Sequence, residues 1–159
     1  MDILNWLENT KLALLVQESL WAYPIILSFH AIGMGFLVGT IIIIDLRLLG
    51  VAKQAPVTAF AQLVSVAWAG FAINAVTGIS LFLAGATTLF FNPAFQTKIL
   101  LLMLGGLTAW AFRPLVFNVA NDWPADGSTP TSAKILACAS LTLWLGTIVS
   151  GRLIAYIMF

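Results

Sequence analysis

Four residues, each set in an otherwise apolar stretch, define the chemistry open to this chain: His30, Lys98, Met103 and Arg152. His30 is the only histidine, and the run around it, Ser19 to Ile44, carries no charge. An ionisable ring inside a run long enough to cross a bilayer is by default a functional group. At ~1.5 Å per residue, His30 falls ~9 Å below Pro24 at the start of that run. Arg152, counted back from Phe159, falls at a similar depth, Lys98 opens the third apolar run on the same side, and Met103 lies ~1.5 turns further in. The four are expected to converge on one leaflet.

Three chemistries are open to that set. His30 can supply an axial nitrogen to the iron of a b-type haem, with Lys98 and Arg152 pairing with its propionates. One chain cannot provide a second histidine, so the sixth position would be vacant, taken by Met103 or filled by His30 of a second copy. A quinone carbonyl is the second option, since it needs only one donor, and His30 with Ser28 nearby can provide it. The third is a hydrogen bond between helices, worth roughly 0.6–2 kcal/mol in a membrane bundle.

The elements that must position these residues follow from composition. The chain has 159 residues, 61% hydrophobic and 8% charged, with a mean hydropathy of +1.03. Soluble domains carry about 25% charged residues. This is the profile of an integral membrane protein, all-α, with one domain over residues 1–159 and no room for a separate soluble domain. The spacing predicts spans over about 21–44, 57–90, 95–119 and 133–158, preceded by an interfacial amphipathic helix over 3–16 with Trp6 at headgroup level. Asn92-Pro93 closes the second span, and Asp126-Gly127 marks a turn before the fourth. The N-terminal stretch lacks a basic leader and a small-residue cleavage site and is expected to be retained.

Other polar residues take supporting roles. Gly70, Asn74, Thr77, Gly78 and Gly85 form a stripe on the second span, suited to close helix packing, with Asn74 also open to a ligand. Ser28, Gly35 and Gly39 fall on the face of the first span opposite His30, available to the bundle or to another subunit. Asp45 and Arg47 are expected to anchor the end of the first span, and Arg152 is expected to find Glu18 as a partner. Cys138, the only cysteine, is expected to be core filler, and neither a disulfide nor a Cys-x-x-Cys pair exists. The remaining tryptophans read as belt or core residues.

Several function classes drop out. There is no phosphate-binding Gly-rich loop, no His-Glu-x-x-His and no second histidine to serve a nucleophile. A net charge of +1, spread singly, excludes a nucleic-acid surface. Arg47, Lys53, Arg113 and Lys134 on one side against Lys11, Lys98 and Arg152 on the other favour both termini outside the cytoplasm.

The chain resembles an uncharacterised family of small four-span bacterial inner-membrane proteins, a domain of unknown function. The resemblance rests on Glu18-Ser19, Tyr23-Pro24, His30-x-x-Gly33, the run Asp45 to Gly50, Thr77-Gly78, Asn92-Pro93-Ala94-Phe95 with Lys98, Trp144-Leu145-Gly146, and the ending Gly151 to Tyr156. It spans nearly the whole chain and implies no established activity. It implies a second histidine near the end of the third span, where this chain has Ala111-Phe112-Arg113, so a two-histidine site would be altered here. The reading is a small integral subunit of a larger, redox-type membrane complex, holding haem b or a quinone near His30, with lipid and other membrane subunits or further copies of itself as partners. The alternatives are a small transporter component and a purely structural assembly subunit. No self-sufficient catalytic motif marks it as an enzyme.

Overall fold

The computed structural model describes residues 1–124 and 128–157. The turn expected at Asp126-Gly127 and the last residue of the expected fourth span lie outside them. Four helical segments are long and apolar enough to cross a membrane: Ala22–Leu49, Val57–Leu83, Pro93–Phe117 and Thr131–Leu153. The described residues are otherwise short helices and turns. The bundle is therefore all-α, as expected, with several boundaries moved for identifiable reasons.

The expected single helix over 3–16 is two helices, α1 (Asp2–Glu8) and α2 (Lys11–Glu18). Asn9-Thr10 breaks them apart, because the Thr10 hydroxyl caps α2 by accepting from Ala13 N, a role that favours Thr at a helix start over its interior. Both helices dock on the bundle. Ala13 and Val16 are buried, Gln17 Nε2 donates to Ala84 O at 3.2 Å, and Glu8 Oε1 accepts from the amide and hydroxyl of Thr87 at 2.8 and 2.7 Å.

The first spanning helix, α3 (Ala22–Leu49), continues past the expected end at Ile44. It stops at Gly50, which adopts the left-handed conformation (φ 107°) and lets Val51 N reach back to Leu46 O. Asp45 and Arg47 thus lie within the helix, 0% and 4% exposed, and neither is a surface anchor. Arg47 instead ties down the following loop, donating from Nε to Ala55 O at 2.7 Å and from Nη2 to Lys53 O at 3.1 Å.

The expected second span of 57–90 is divided. A 3₁₀ turn over Val57–Gln62 leads into α4 (Leu63–Leu83), the chain breaks at Ala84-Gly85, and α5 (Ala86–Phe90) follows as a separate short helix. Asn92 starts α6 (Pro93–Phe112): its side chain accepts from Ala94 N and Phe95 N, with Pro93 at the first helical position. Pro114 has no N–H to continue the ladder, so α6 ends in one wide turn, Arg113–Phe117, closed by Asn118 N on Arg113 O. The fourth span is α7 (Thr131–Leu153), which starts two residues before the expected 133–158 and ends short of it on the C-terminal side.

The long helices pack in the order α4, α3, α7, α6. Leu37, Ile41, Ile44 and Leu48 of α3, Phe112 and Val116 after α6, and Ala137 and Trp144 of α7 form the core, which lies toward the Arg47 end. Outward faces carry exposed Phe29, Ile32, Phe36, Ile43, Trp68 and Trp110, the surface a lipid-embedded bundle presents. Cys138 is exposed on α7, so it is not core filler; its position on the helix turns it outward. Four crossings bring the termini to one end. There Asn92 Nδ2 donates to Ile157 O and α1 meets α5 through Glu8 and Thr87.

The tightest joint is where α3 crosses α4. A Cβ on Gly70 would lie 2.6 Å from Leu37 N and 2.8 Å from Gly33 O, and one on Gly33 would lie 3.0 Å from Gly70 O. Backbone thus packs on backbone, the geometry small residues permit in membranes. Gly35 and Gly39 have nothing within 4 Å of a built Cβ, so that face of α3 does not pack within the chain. Gly70→Ala should therefore lower stability in detergent by about 1–3 kcal/mol, whereas Gly39→Ala should be neutral or stabilising by up to about 1 kcal/mol. Reversible unfolding by SDS titration, read by circular dichroism, measures both; equal effects would be incompatible with this packing.

Candidate functional site

His30 sits two turns into α3, three residues before the Gly33–Gly70 crossing, and that closeness lets α4 hold it at three points. Asn74 Nδ2 donates to His30 O at 2.7 Å. Thr77 Oγ1 lies 3.0 Å from His30 Nδ1. Gly78 faces the ring, with a built Cβ only 3.2 Å from His30 Cε1. Any larger residue at 78 would press on the imidazole edge.

The hydrogen-bond pattern selects the tautomer. Thr77 has one hydroxyl hydrogen, and it is directed at Ile73 O at 2.7 Å, with Asn74 O at 3.2 Å as a second acceptor. Its oxygen can therefore only accept from His30, which puts the proton on Nδ1 and leaves Nε2 as an acceptor. Facing Nε2 at 3.4 Å is Lys98 Nζ, from α6. An ammonium has three donors and no acceptor, so the Lys98 group donates to the ring. The Lys98 stem runs over Gly151 of α7, where a built Cβ would lie 3.5 Å from Cδ and Cε. All four long helices thus contribute to one site.

In the packing order α4, α3, α7, α6, Lys98 reaches His30 from the outer helix α6. Phe82 of α4 and Phe95 of α6 stack at 5.4 Å between centroids on the terminal side of the pair. His30 and Lys98 are both partly exposed.

Of the four residues expected to converge, the structure brings together His30 and Lys98. Met103 is 67% exposed, because five residues turn a helix through ~140° beyond one full turn, carrying it away from the Lys98 face. Arg152 is in the last turn of α7, next to the Gly151 that Lys98 packs on, but its side chain leaves the site. Its guanidinium is exposed and turns to Tyr156, 5.6 Å over the ring and 3.4 Å from the hydroxyl, instead of pairing with Glu18. Ser28 is not at the ring either; its hydroxyl donates to Pro24 O.

The donor set does not fit a haem within one chain. Both ring nitrogens of His30 are engaged, Nδ1 by Thr77 and Nε2 by Lys98, Met103 faces outward, and the Arg152 guanidinium is turned to Tyr156. What the pair offers is a cationic donor beside a neutral acceptor. That suits a ligand carrying oxygen lone pairs, and no His, Cys, Asp or Glu cluster able to hold a metal exists among the described residues.

A second polar position was misjudged from sequence. Asp45 is fully buried beside Ser140 of α7, with no hydrogen bond of good geometry to either carboxyl oxygen, and Ser140 Oγ and Trp144 Nε1 are likewise unpaired. The sequence signal was present in the run Ile41 to Ile44 directly before it, which has no polar face to turn outward.

Because His30 is the only histidine, ¹⁵N NMR of histidine-labelled protein reads its tautomer without assignment. The expected spectrum has the protonated nitrogen at Nδ1 and the unprotonated one at Nε2. Thr77→Val, which removes the acceptor, should abolish that preference; an Nε2-protonated ring in the native protein would contradict the geometry.

No curated protein and no solved structure matches the chain. A family model does match, over residues 4–157, and so takes in most of α1, all of α2, all four spans and every residue of the site. With nearly its whole length covered, the chain belongs to DUF6644, a family of unknown function.

Proposed function

We propose that this protein is a small integral subunit of an electron-transfer assembly in a bacterial inner membrane, with both termini periplasmic, and that it receives a quinone headgroup at His30 and Lys98. The observation carrying this reading is the Lys98 ammonium set against the unprotonated Nε2 of His30 at 3.4 Å, with both residues partly exposed. A charged donor in an apolar span is costly unless acceptors satisfy it. His30 satisfies one of its three protons, and a carbonyl oxygen arriving from the bilayer is a matched partner for another.

The chemistry assigns separate roles. Lys98 donates a hydrogen bond to a headgroup oxygen and stabilises negative charge on it. His30, with Nδ1–H fixed by Thr77, presents Nε2 as the atom able to take a proton from a hydroxyl of the reduced headgroup. Asn74 and Gly78 position the ring, and the docking helices α1 and α2 hold the terminal end of the bundle. Gly35 and Gly39, open on the opposite face of α3, offer a small-residue surface for a neighbouring subunit.

Quinone extracted from protein purified in mild detergent and quantified by chromatography tests this. Native protein should retain it in a fixed molar ratio. Lys98→Leu should reduce retention roughly tenfold, the loss of one charge-assisted hydrogen bond. Equal retention by native and Lys98→Leu protein would refute the assignment. So would a b-type band in the reduced-minus-oxidised spectrum that disappears in His30→Ala.

A further inference from the structure

Asp45 lies on α3 beyond His30, ~22 Å further along the helix, and the quinone site makes no use of it. Its side chain is 0% exposed, as is that of Ser140, which faces it from α7. Neither carboxyl oxygen has a hydrogen-bond partner among the described residues, and neither does the Ser140 hydroxyl. We infer that Asp45 is a proton-binding site, a neutral carboxylic acid whose partner across the helix interface is Ser140.

The surroundings give an ionised carboxylate nothing to pair with. By helical spacing Ile41 and Leu48 flank Asp45 on its own face of α3, while Ala137 and Trp144 flank Ser140 on α7, and all four are buried. Every lysine and arginine of the chain is a described residue, and each is committed elsewhere or exposed. Arg47, two positions on, sits on another side of the helix and donates to Ala55 O and Lys53 O. Lys98 is engaged with His30, Arg152 turns to Tyr156, and Lys11, Lys53, Arg113 and Lys134 are exposed. The neighbouring span α4 carries no charged residue. Nor does the backbone compensate, because Asp45 is toward the C-terminal end of α3, where the helix dipole opposes negative charge.

A proton is the ligand that resolves this. It needs no cavity, it removes the charge that an apolar interior penalises, and it gives the side chain a donor to accompany its acceptor. The Ser140 hydroxyl likewise has one donor and two lone pairs, so acid and alcohol are complementary in either sense of the bond. A carboxylate could only accept. With the proton bound, the pair is a polar contact between α3 and α7 that places no net charge inside the membrane.

Infrared difference spectroscopy of the full-length protein in lipid membranes at neutral pH tests this. The carbonyl stretch of a protonated carboxyl stands clear of the amide bands and of the carboxylate stretches. Native minus Asp45→Asn should contain that band, because the variant removes the acid but keeps a neutral side chain of the same shape. Ser140→Ala keeps the acid and removes its partner, so native minus Ser140→Ala should show the band displaced; this comparison stands even where Asp45→Asn does not fold. Carboxylate stretches in place of the carbonyl band in the first difference spectrum, or no feature at the carbonyl position in the second, overturn the proposal. Both outcomes are independent of quinone retention at His30.

Discussion

The close crossing of α3 and α4 at Gly33 and Gly70 is the constraint on which the site depends. In a bilayer there is no hydrophobic gain from bringing two apolar helices together, so contact must come from packing and interhelical hydrogen bonds. At this crossing the two backbones meet with almost nothing between them. Only at that separation can Asn74 reach the carbonyl of His30 and Thr77 the ring nitrogen. The same glycine pair that joins the helices therefore fixes the imidazole, its tautomer and the direction of its free lone pair.

From there the placement of charge follows. With Nδ1–H committed to Thr77, Nε2 points toward α6 and can accept but not donate. Lys98 complements it as a pure donor, and its stem is accommodated by Gly151 on α7. Both members of this dipolar pair remain partly exposed. At the other end the polar chemistry is reversed in character: Arg47 is packed into the protein and used to hold the loop at Lys53 and Ala55. The apolar core of α3, α6 and α7 separates the two ends.

Much of this was legible in the sequence where helical rise alone decides the outcome. The four spans follow from apolar length, and the shared level of His30 and Lys98 follows from counting residues from helix starts marked by Pro24 and Pro93. The stripe of Gly70, Asn74, Thr77 and Gly78 follows from helical spacing. Counting fails where angle or helix ends matter. Met103 has a suitable depth but the wrong azimuth, and Arg152, next to the Gly151 that Lys98 packs on, turns its guanidinium to Tyr156. Asp45 and Arg47 look like ordinary end residues until Gly50 is seen to extend α3 beyond them. The break at Gly85 lies beside tertiary hydrogen bonds from Gln17 and Glu8, which no local pattern encodes, whereas the split at Thr10 follows from its local cap on Ala13 N.

The central claim is that a headgroup enters between α4 and α6 and meets His30 and Lys98. A photoactivatable quinone analogue in native membranes, followed by mass-spectrometric mapping of the labelled peptides, tests it most directly. Label concentrated on the segments around Gly78 and Lys98, and displaced by excess unmodified quinone, is the predicted result. Label spread evenly over the outward faces of all four helices, or undiminished by competitor, would contradict it.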